Sequence, residues 1–495
     1  MPTDLKETSK KYLTIIGAVI MLPFASCSIN SASQSVNESV TFAANEEGLA
    51  DTADEITITM AIVGDPVDSF RKAIEDFNSA DNGYKIELRS FLDNYDENGE
   101  PIGFTNEEVK QVDFQVIQEI INTSNIDIVG GFSFINESNY YILMKKGAFV
   151  NLYDFMKEDN DVNPDLLNRH ILELSEIDGC LYTIPQYYKA ESMLGKAEYV
   201  GDKQNWSIDE FLDHWDKMPD DTTISGNRNA ETICYELIRP NLSSFVDYSN
   251  ASVNFDSYDF RKMLEFCDQF DSTNGQKVDL DYSAPNFISK FEINGFSAAV
   301  INTINPISKE QSYSHISDGD YTIVGFPSSD GEGSYLTGSG INCSICKTSS
   351  KEKQHAAWEF IRQFYTEEYQ QEHVIERYEN VINGEVVVSY SSEFGFCINN
   401  AARIETAEKI CGGDYYSGTY ESKGQTYEIL LPNKDDCDFI DNYISSINRW
   451  EYGRDNELWD IVKEEVVDYL GGDQDINRTI DMIQSRSAIL VGEKS

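Results

Sequence analysis

Positive charge, histidine and long apolar runs are all scarce in this chain of 495 residues, and each shortage closes off a class of function. Thirty-eight lysines and arginines stand against 86 aspartates and glutamates, a formal net charge of −48. A surface of that sign repels phosphate, so neither nucleic acid nor an anionic lipid face is expected as a partner. Most of the acid reads as a solvated exterior that needs no further function. The five histidines, His170, His214, His315, His355 and His373, form no H-E-x-x-H pattern, and neither G-x-S-x-G nor G-x-x-x-x-G-K-[ST] occurs. No catalytic residue is therefore assigned. With 86 acids, paired carboxylates of the glycosidase kind could converge anywhere and carry no signal. Internal repeats and a low-complexity stalk, the marks of a structural adhesin, are missing as well.

Nine cysteines are present. Apart from Cys27 they are Cys180, Cys234, Cys267, Cys343, Cys346, Cys397, Cys411 and Cys437, an even number that permits disulfides outside the cell without requiring them. The single C-x-x-C, in "INCSICKTS", has no second pair or nearby histidine to complete a zinc set. It also lies in a β-leaning run rather than at a helix start, so buried thiols are expected. The segment "NYDENGEPIGFT", residues 94–105, alternates acids and amides with Gly99 at its sixth position. Its twelfth is Thr105, where a calcium loop needs a bidentate glutamate. No metal and no cofactor are expected.

The N-terminal segment carries Lys6, Lys10 and Lys11, then an apolar run over residues 12–24, then Ala25 and Ser26. That is the layout of an export signal, and the run is shorter than the roughly 20 residues of a spanning helix. Cys27 follows directly. "MLPFASCS" resembles the lipobox of bacterial lipoproteins, with Phe24 in place of the usual aliphatic residue; the resemblance implies lipidation of Cys27 after removal of residues 1–26. Residues 28–55, rich in Ser, Asn, Ala and acids without helical or strand period, read as a disordered tether. As a flexible coil this tether spans on the order of 30 Å, enough to hold a domain clear of a membrane.

About 440 residues remain, enough for two lobes. "ITITMAIVG" reads as a buried strand, "DPVDSFRKAIEDFNSADNG" as a helix with Phe70, Ala73, Ile74 and Phe77 on one face, and "YKIELRSF" as a second strand. "EEVKQVDFQVIQEIINTS" and "IDIVGGFSF" repeat the pattern. Strand, helix, strand at this spacing implies right-handed crossovers and a parallel sheet.

Six later segments carry a more specific resemblance: "DIVGGFSF" with "YYILMKKGAFVNLYDFM", "IDGCLYTIPQYY", "NWSIDEFLDHWDKM", "YTIVGFPSSDGEGSY", "KTSSKEKQHAAWEFIRQFYTEEYQQ" and "IVKEEVVDYLGGDQDINRTIDMIQSRSAILVGE". In this order they resemble the family 1 type of extracellular solute-binding protein, in its lipoprotein form, that serves ABC importers. The resemblance implies an α/β, two-lobed periplasmic-binding-protein-like fold of type II, each lobe a mainly parallel sheet flanked by helices, with a ligand cleft between the lobes. Lobe one is expected to span 56–185 and 297–365, and lobe two 186–296 and 366–495, with an insertion near 393–434 rich in Tyr and Gly. The expected partners are a small solute, an ABC-type permease and, through the lipid on Cys27, the outer face of the cytoplasmic membrane. The protein is expected to be a monomer.

Ligands of such folds sit outside the carboxyl ends of parallel strands. That rule points to Asp65, to Asp93 and Tyr95, to Phe132, Ser133 and Phe134, to Gln186, Tyr187 and Tyr188, and to Asn302 and Asn305. Asp65 and Tyr188 lead this set. Aromatics that stack on a sugar ring, beside amides and carboxylates that meet its hydroxyls, suit a carbohydrate. Against this, Phe132 and Phe134 alternate along a strand, which sends at least one into the core. Trp206, Trp215 and Trp358 read as packing. Arg71 and Arg89 lie inside a helix and a strand, so arginines in the cleft look few and an uncharged oligosaccharide is favoured over an amino acid or peptide. Two other readings stay open: a surface lipoprotein that binds a protein partner, and a glycan-processing enzyme.

Overall fold

The computed structural model describes residues 55–63, 68–92, 106–134, 138–225, 228–248, 250–272, 287–293, 321–373, 376–382, 385–391, 395–411, 419–422, 425–428, 434–452 and 456–494. Cys27, the tether, Asp65, Asp93, Tyr95, Asn302, Asn305 and the 94–105 segment lie outside them. In chain order the strands are β1 (Ile56–Ile62), β2 (Tyr84–Ser90), β3 (Ile128–Gly130), β4 (Tyr187–Lys196), β5 (Thr223–Ile224), β6 (Val246–Asp247), β7 (Ser252–Val253), β8 (Phe287–Ile293) and β9 (Tyr321–Ile323). They continue as β10 (Tyr335–Ser339), β11 (Cys343–Ile345), β12 (Glu376–Ile382), β13 (Glu385–Ser391), β14 (Phe396–Cys397), β15 (Thr419–Ser422), β16 (Gln425–Glu428) and β17 (Trp450–Glu451).

The first lobe is built on the sheet β11-β3-β1-β2, in which β1 pairs in parallel with β2 and β3 while β11 runs antiparallel to β3. Alternation along the strands sorts side chains into two cores. Ile58, Met60, Ile128 and Cys343 enter one, and Ala61, Val129 and Cys346 the other. The crossover helix Asp68–Ser79 buries Phe70, Ala73, Ile74 and Phe77, the four residues at helical spacing. Helix Lys351–Arg362, capped by Ser350, lays Ala357, Trp358, Phe360 and Ile361 inside, and Phe360 meets Phe77 edge-on at 5.2 Å. Each fully buried phenylalanine contributes about 1.5–3 kcal/mol by leaving water. Asp127, wholly buried, ties three elements together. It accepts the Thr59 amide (2.9 Å) and the Ser349 hydroxyl (2.7 Å), and pairs with Lys353 (2.8 Å).

The second sheet departs from expectation. Its order is β17-β10-β4-β8-β5, and the ten-residue β4 is its hub, pairing antiparallel with β8, β9, β10 and β14; only β5 with β8 and β17 with β10 are parallel. A mainly parallel sheet in each lobe is therefore correct for the first and wrong for the second. Strands that carry the chain out of one lobe and back lie beside β4 in the opposite direction, which needs no helical crossover. By the same pairing β9 and β10 belong to the second sheet and β11 to the first, while the expected return near residue 297 lies outside the described residues. Where these strands converge, Gly395 (φ +125°) sits so near the Tyr188 carbonyl that a Cβ would come within 2.6 Å of it. Behind the sheet, Trp206, Phe211, Phe255, Phe260 and Phe266 form a further core. The 393–434 insertion contains the hairpin β15–β16.

The C-x-x-C is not a redox pair. Cys343 and Cys346 lie in cores on opposite faces of the sheet, and burial pushes both thiols well above their ordinary range. Cys397 is pushed up to about 12 for the same reason. Cys437 is disulfide-bonded, as the even number of cysteines permits. Among the described residues no helix is long and apolar enough to cross a membrane, and no cluster of three or more His, Cys, Asp or Glu side chains is placed to hold a metal ion.

Candidate functional site

A cavity of about 630 Å³ opens between the first-lobe helix Ser138–Lys145 and the second sheet. Its volume falls in the range of small-molecule sites. The helix offers Ser138, Tyr141, Ile142 and Lys145, spaced at i, i+3, i+4 and i+7, so a single helical face forms one wall. From β4 come Lys189 and Glu191, and from β10 Tyr335 and Thr337, each pair two residues apart and so on one sheet face. The 3₁₀ segment Arg239–Phe245, the strand β6 and the turn after it supply Arg239, Ser243, Asp247 and Tyr248; the end of the wall is Trp450, Glu451 and Tyr452.

Aromatic side chains dominate this surface. Tyr141 and Tyr452 stack at 4.9 Å across the two lobes, and Trp450 stands edge-on to Tyr452 at 6.1 Å. Tyr452 donates to the Ser175 carbonyl. Gly338 lets the indole of Trp450 come close to the strand, since a Cβ there would meet the ring at 3.3 Å. Behind the rings, Tyr335 donates to Glu191 (2.7 Å), and burial, followed by the Glu191 charge, pushes its phenol well above the usual range, keeping it a donor. Arg449 stacks over Tyr335 at 5.3 Å and donates to Glu451 (2.8 Å) and Ser243 (2.7 Å). Two polar atoms of the wall have no partner among the described residues: the indole N–H of Trp450 and the hydroxyl of Thr337, both buried. A buried polar group left unpaired costs about 1–3 kcal/mol, which a ligand bearing hydroxyls would recover.

None of the described residues expected from strand ends lines this cavity. Phe132 packs half-buried on Phe70 at 5.1 Å. Ser133 is buried, donating to the Ala61 carbonyl (2.6 Å) and accepting the Gly130 amide (3.0 Å). Phe134 is core, stacked with Tyr140. Gln186 accepts the Ile341 amide (2.8 Å) and donates to the Tyr187 hydroxyl (3.1 Å), and both residues are buried. Tyr188 is 1% exposed, stacks on Phe396 at 5.5 Å and accepts from Asn168 (2.9 Å). The reason is geometric. β4 continues well past the crossing, and its cavity-facing positions are 189 and 191, while Tyr188 points the other way with Ala190 and Leu194.

Arginines of the cavity are few, as expected: Arg89 pairs with Glu119, and Arg239 is the one arginine among the described lining residues. Trp206 and Trp358 are packing, as read: Trp206 donates to the Gly325 carbonyl (2.8 Å) and Trp358 to Asp159 (3.0 Å). The residues that sequence reading missed had partial signals. The Ser138–Lys145 helix repeats polar and aromatic residues at i, i+3 and i+7. "RWEY", residues 449–452, sets two large amphipathic rings on alternate positions.

No curated protein matches the chain in sequence. Among solved structures it is similar to maltose-bound MalE3 of T. maritima (14% identity, 88% of this chain and 100% of that chain covered, TM-score 0.44). It is likewise similar to a family 1 extracellular solute-binding protein of Alicyclobacillus acidocaldarius (14%, 89% and 100%, TM-score 0.48). A third likeness is to an ABC transporter solute-binding protein of Agrobacterium radiobacter in complex with ribitol (13%, 88% and 99%, TM-score 0.46). Residues 109–382, more than half of the chain, match the bacterial extracellular solute-binding family, and the chain belongs to that family of binding proteins, which are not enzymes.

Proposed function

We propose that the protein captures a carbohydrate in the cavity between its lobes and delivers it to an ABC-type permease. The observation that carries this reading is the wall itself: Tyr141, Tyr452 and Trp450 line it with aromatic rings of the kind that meet sugars, beside an unpaired N–H and an unpaired hydroxyl. A solute touching both Tyr141 and Trp450 stabilises the closed arrangement over an open one by its differential contacts, and closure is a state that a permease can read. Lobe one then spans 56–185 and 343–365, and lobe two the remainder from 186. The lipid on Cys27 and the 28–55 tether hold a monomer at the outer face of the cytoplasmic membrane. Asp65, Asp93, Tyr95, Asn302 and Asn305 stand as proposed additional contacts.

Melting of the purified protein against mono- and oligosaccharides, amino acids and peptides tests this. A sugar at 100 times its dissociation constant adds about 2.7 kcal/mol of stability, and that sugar is recovered chemically unchanged. Stabilisation by amino acids or peptides alone would refute the carbohydrate reading. Mass spectrometry of the membrane fraction tests the anchor, which predicts a chain beginning at a diacylated Cys27.

A further inference from the structure

We infer that the captured solute is an anionic carbohydrate, one bearing a carboxylate, and that Arg239 receives its charge; the inference rests on the carbohydrate-capture reading. In a chain with more than twice as many acids as bases, the cavity wall carries as many cations as carboxylates: Lys145, Lys189 and Arg239 against Glu191, Asp247 and Glu451. The carboxylates are engaged by the protein. Glu191 accepts from Tyr335, Glu451 accepts from Arg449 (2.8 Å) and Ser243 (2.5 Å), and Asp247 accepts the backbone (3.1 Å) and side-chain (2.6 Å) amides of Asn250.

Arg239 differs from them. Its guanidinium donates to two neutral oxygens, the Tyr235 hydroxyl (2.6 Å) and the Asn456 side-chain carbonyl (3.0 Å), and no carboxylate pairs with it among the described residues. The rings of Tyr235 and Trp459 flank it at 5.0 and 5.8 Å and fix its plane. A guanidinium has five N–H donors in a rigid fork that matches a carboxylate, so donors remain for a ligand. Arg239 lines both this cavity and a neighbouring one of about 500 Å³ that it shares with Tyr235, Asn456 and Trp459, so its charge sits where the two meet. The sequence-based preference for an uncharged solute is thereby reversed.

The test is isothermal titration of the full-length protein with matched sugars: di- and trigalacturonate, their carboxyl-reduced neutral counterparts, and a sulfated disaccharide. The acidic oligomer is expected to bind at least about tenfold more tightly than its neutral counterpart, the scale of one charge-assisted hydrogen bond, and to weaken as salt rises. Arg239→Gln removes that preference, and Arg239→Lys, which keeps charge without the fork, restores part of it. Equal or tighter binding of the neutral sugar would overturn the anionic inference and leave carbohydrate capture standing, as would tightest binding of the sulfated sugar for the carboxylate assignment. Binding of no sugar would remove both. Acid preference that survives Arg239→Gln overturns the role given to Arg239. If Arg239→Gln does not fold, the matched pair and the salt dependence on the unaltered protein still decide the charge of the ligand.

Discussion

Inside the second lobe, Phe211 meets Phe266 and Phe255 meets Phe260 edge to face at 5.2 and 5.1 Å, while the cavity is walled by Tyr141, Tyr248, Tyr335, Trp450 and Tyr452. The interior mixes hydrocarbon rings with polar ones such as Trp206, whereas every aromatic ring of the wall carries a polar atom. Where an indole is buried in a core its N–H is used, by the Gly325 carbonyl for Trp206 and by Asp159 for Trp358. Trp450 is buried at that atom and unpaired. The difference teaches how to tell a packing ring from a binding ring: count the hydrogen bonds of the polar atom rather than the area of the ring.

Four substitutions press on that contrast. The largest effect belongs to the interior: Phe260→Ala is expected to lower stability by about 3–5 kcal/mol in urea unfolding, with ligand affinity of the folded fraction unchanged. An affinity loss alongside a small stability change would blur the two classes. Trp358→Phe, which strips a donor from Asp159, should cost about 1–3 kcal/mol of stability by the same assay. Trp450→Phe makes the identical chemical change in the wall and should leave stability level or slightly raised, while sugar affinity falls about tenfold in titration calorimetry. Should Trp450→Phe destabilise as much as Trp358→Phe, the indole is structural. The smallest effect concerns pH. Burial pushes the Asp159 carboxyl up, but hydrogen bonds from Arg362 and from the Asp161 and Val162 amides outweigh this and hold it below its usual value. A carboxyl depressed in the folded state contributes stability that is present above its unfolded pKa and lost as pH falls through the folded one. Asp159→Asn should therefore flatten the acid limb of stability below about pH 4, as read by urea midpoints across pH.

The first lobe was legible because its signals are local. The β1–helix–β2 unit lies within 35 residues, and the spacing of Phe70, Ala73, Ile74 and Phe77 reports the buried face directly. The second sheet was not. Strands as short as Thr223–Ile224 or Trp450–Glu451 carry no period, and the antiparallel pairing of β4 with β10 joins residues about 145 positions apart, for which one sequence holds no pairing record. The cavity shares that problem, since its wall gathers from residues 138–145, 189–191, 239–248, 335–338 and 450–458. Tyr187 and Tyr188 neighbour the wall in sequence, but a shift of one residue in a strand exchanges solvent for core, and it is Lys189 and Glu191 that line the cavity while Tyr188 is buried.

The position of Trp450 has a practical consequence. Trp206 and Trp358 are sealed from solvent at 1% and 3% exposure, whereas the Trp450 indole forms part of the chamber that a solute would fill. Occupancy would change the polarity around that ring and leave the sealed pair untouched, so the protein carries its own optical gauge: intrinsic fluorescence can follow filling and emptying in real time, without a label.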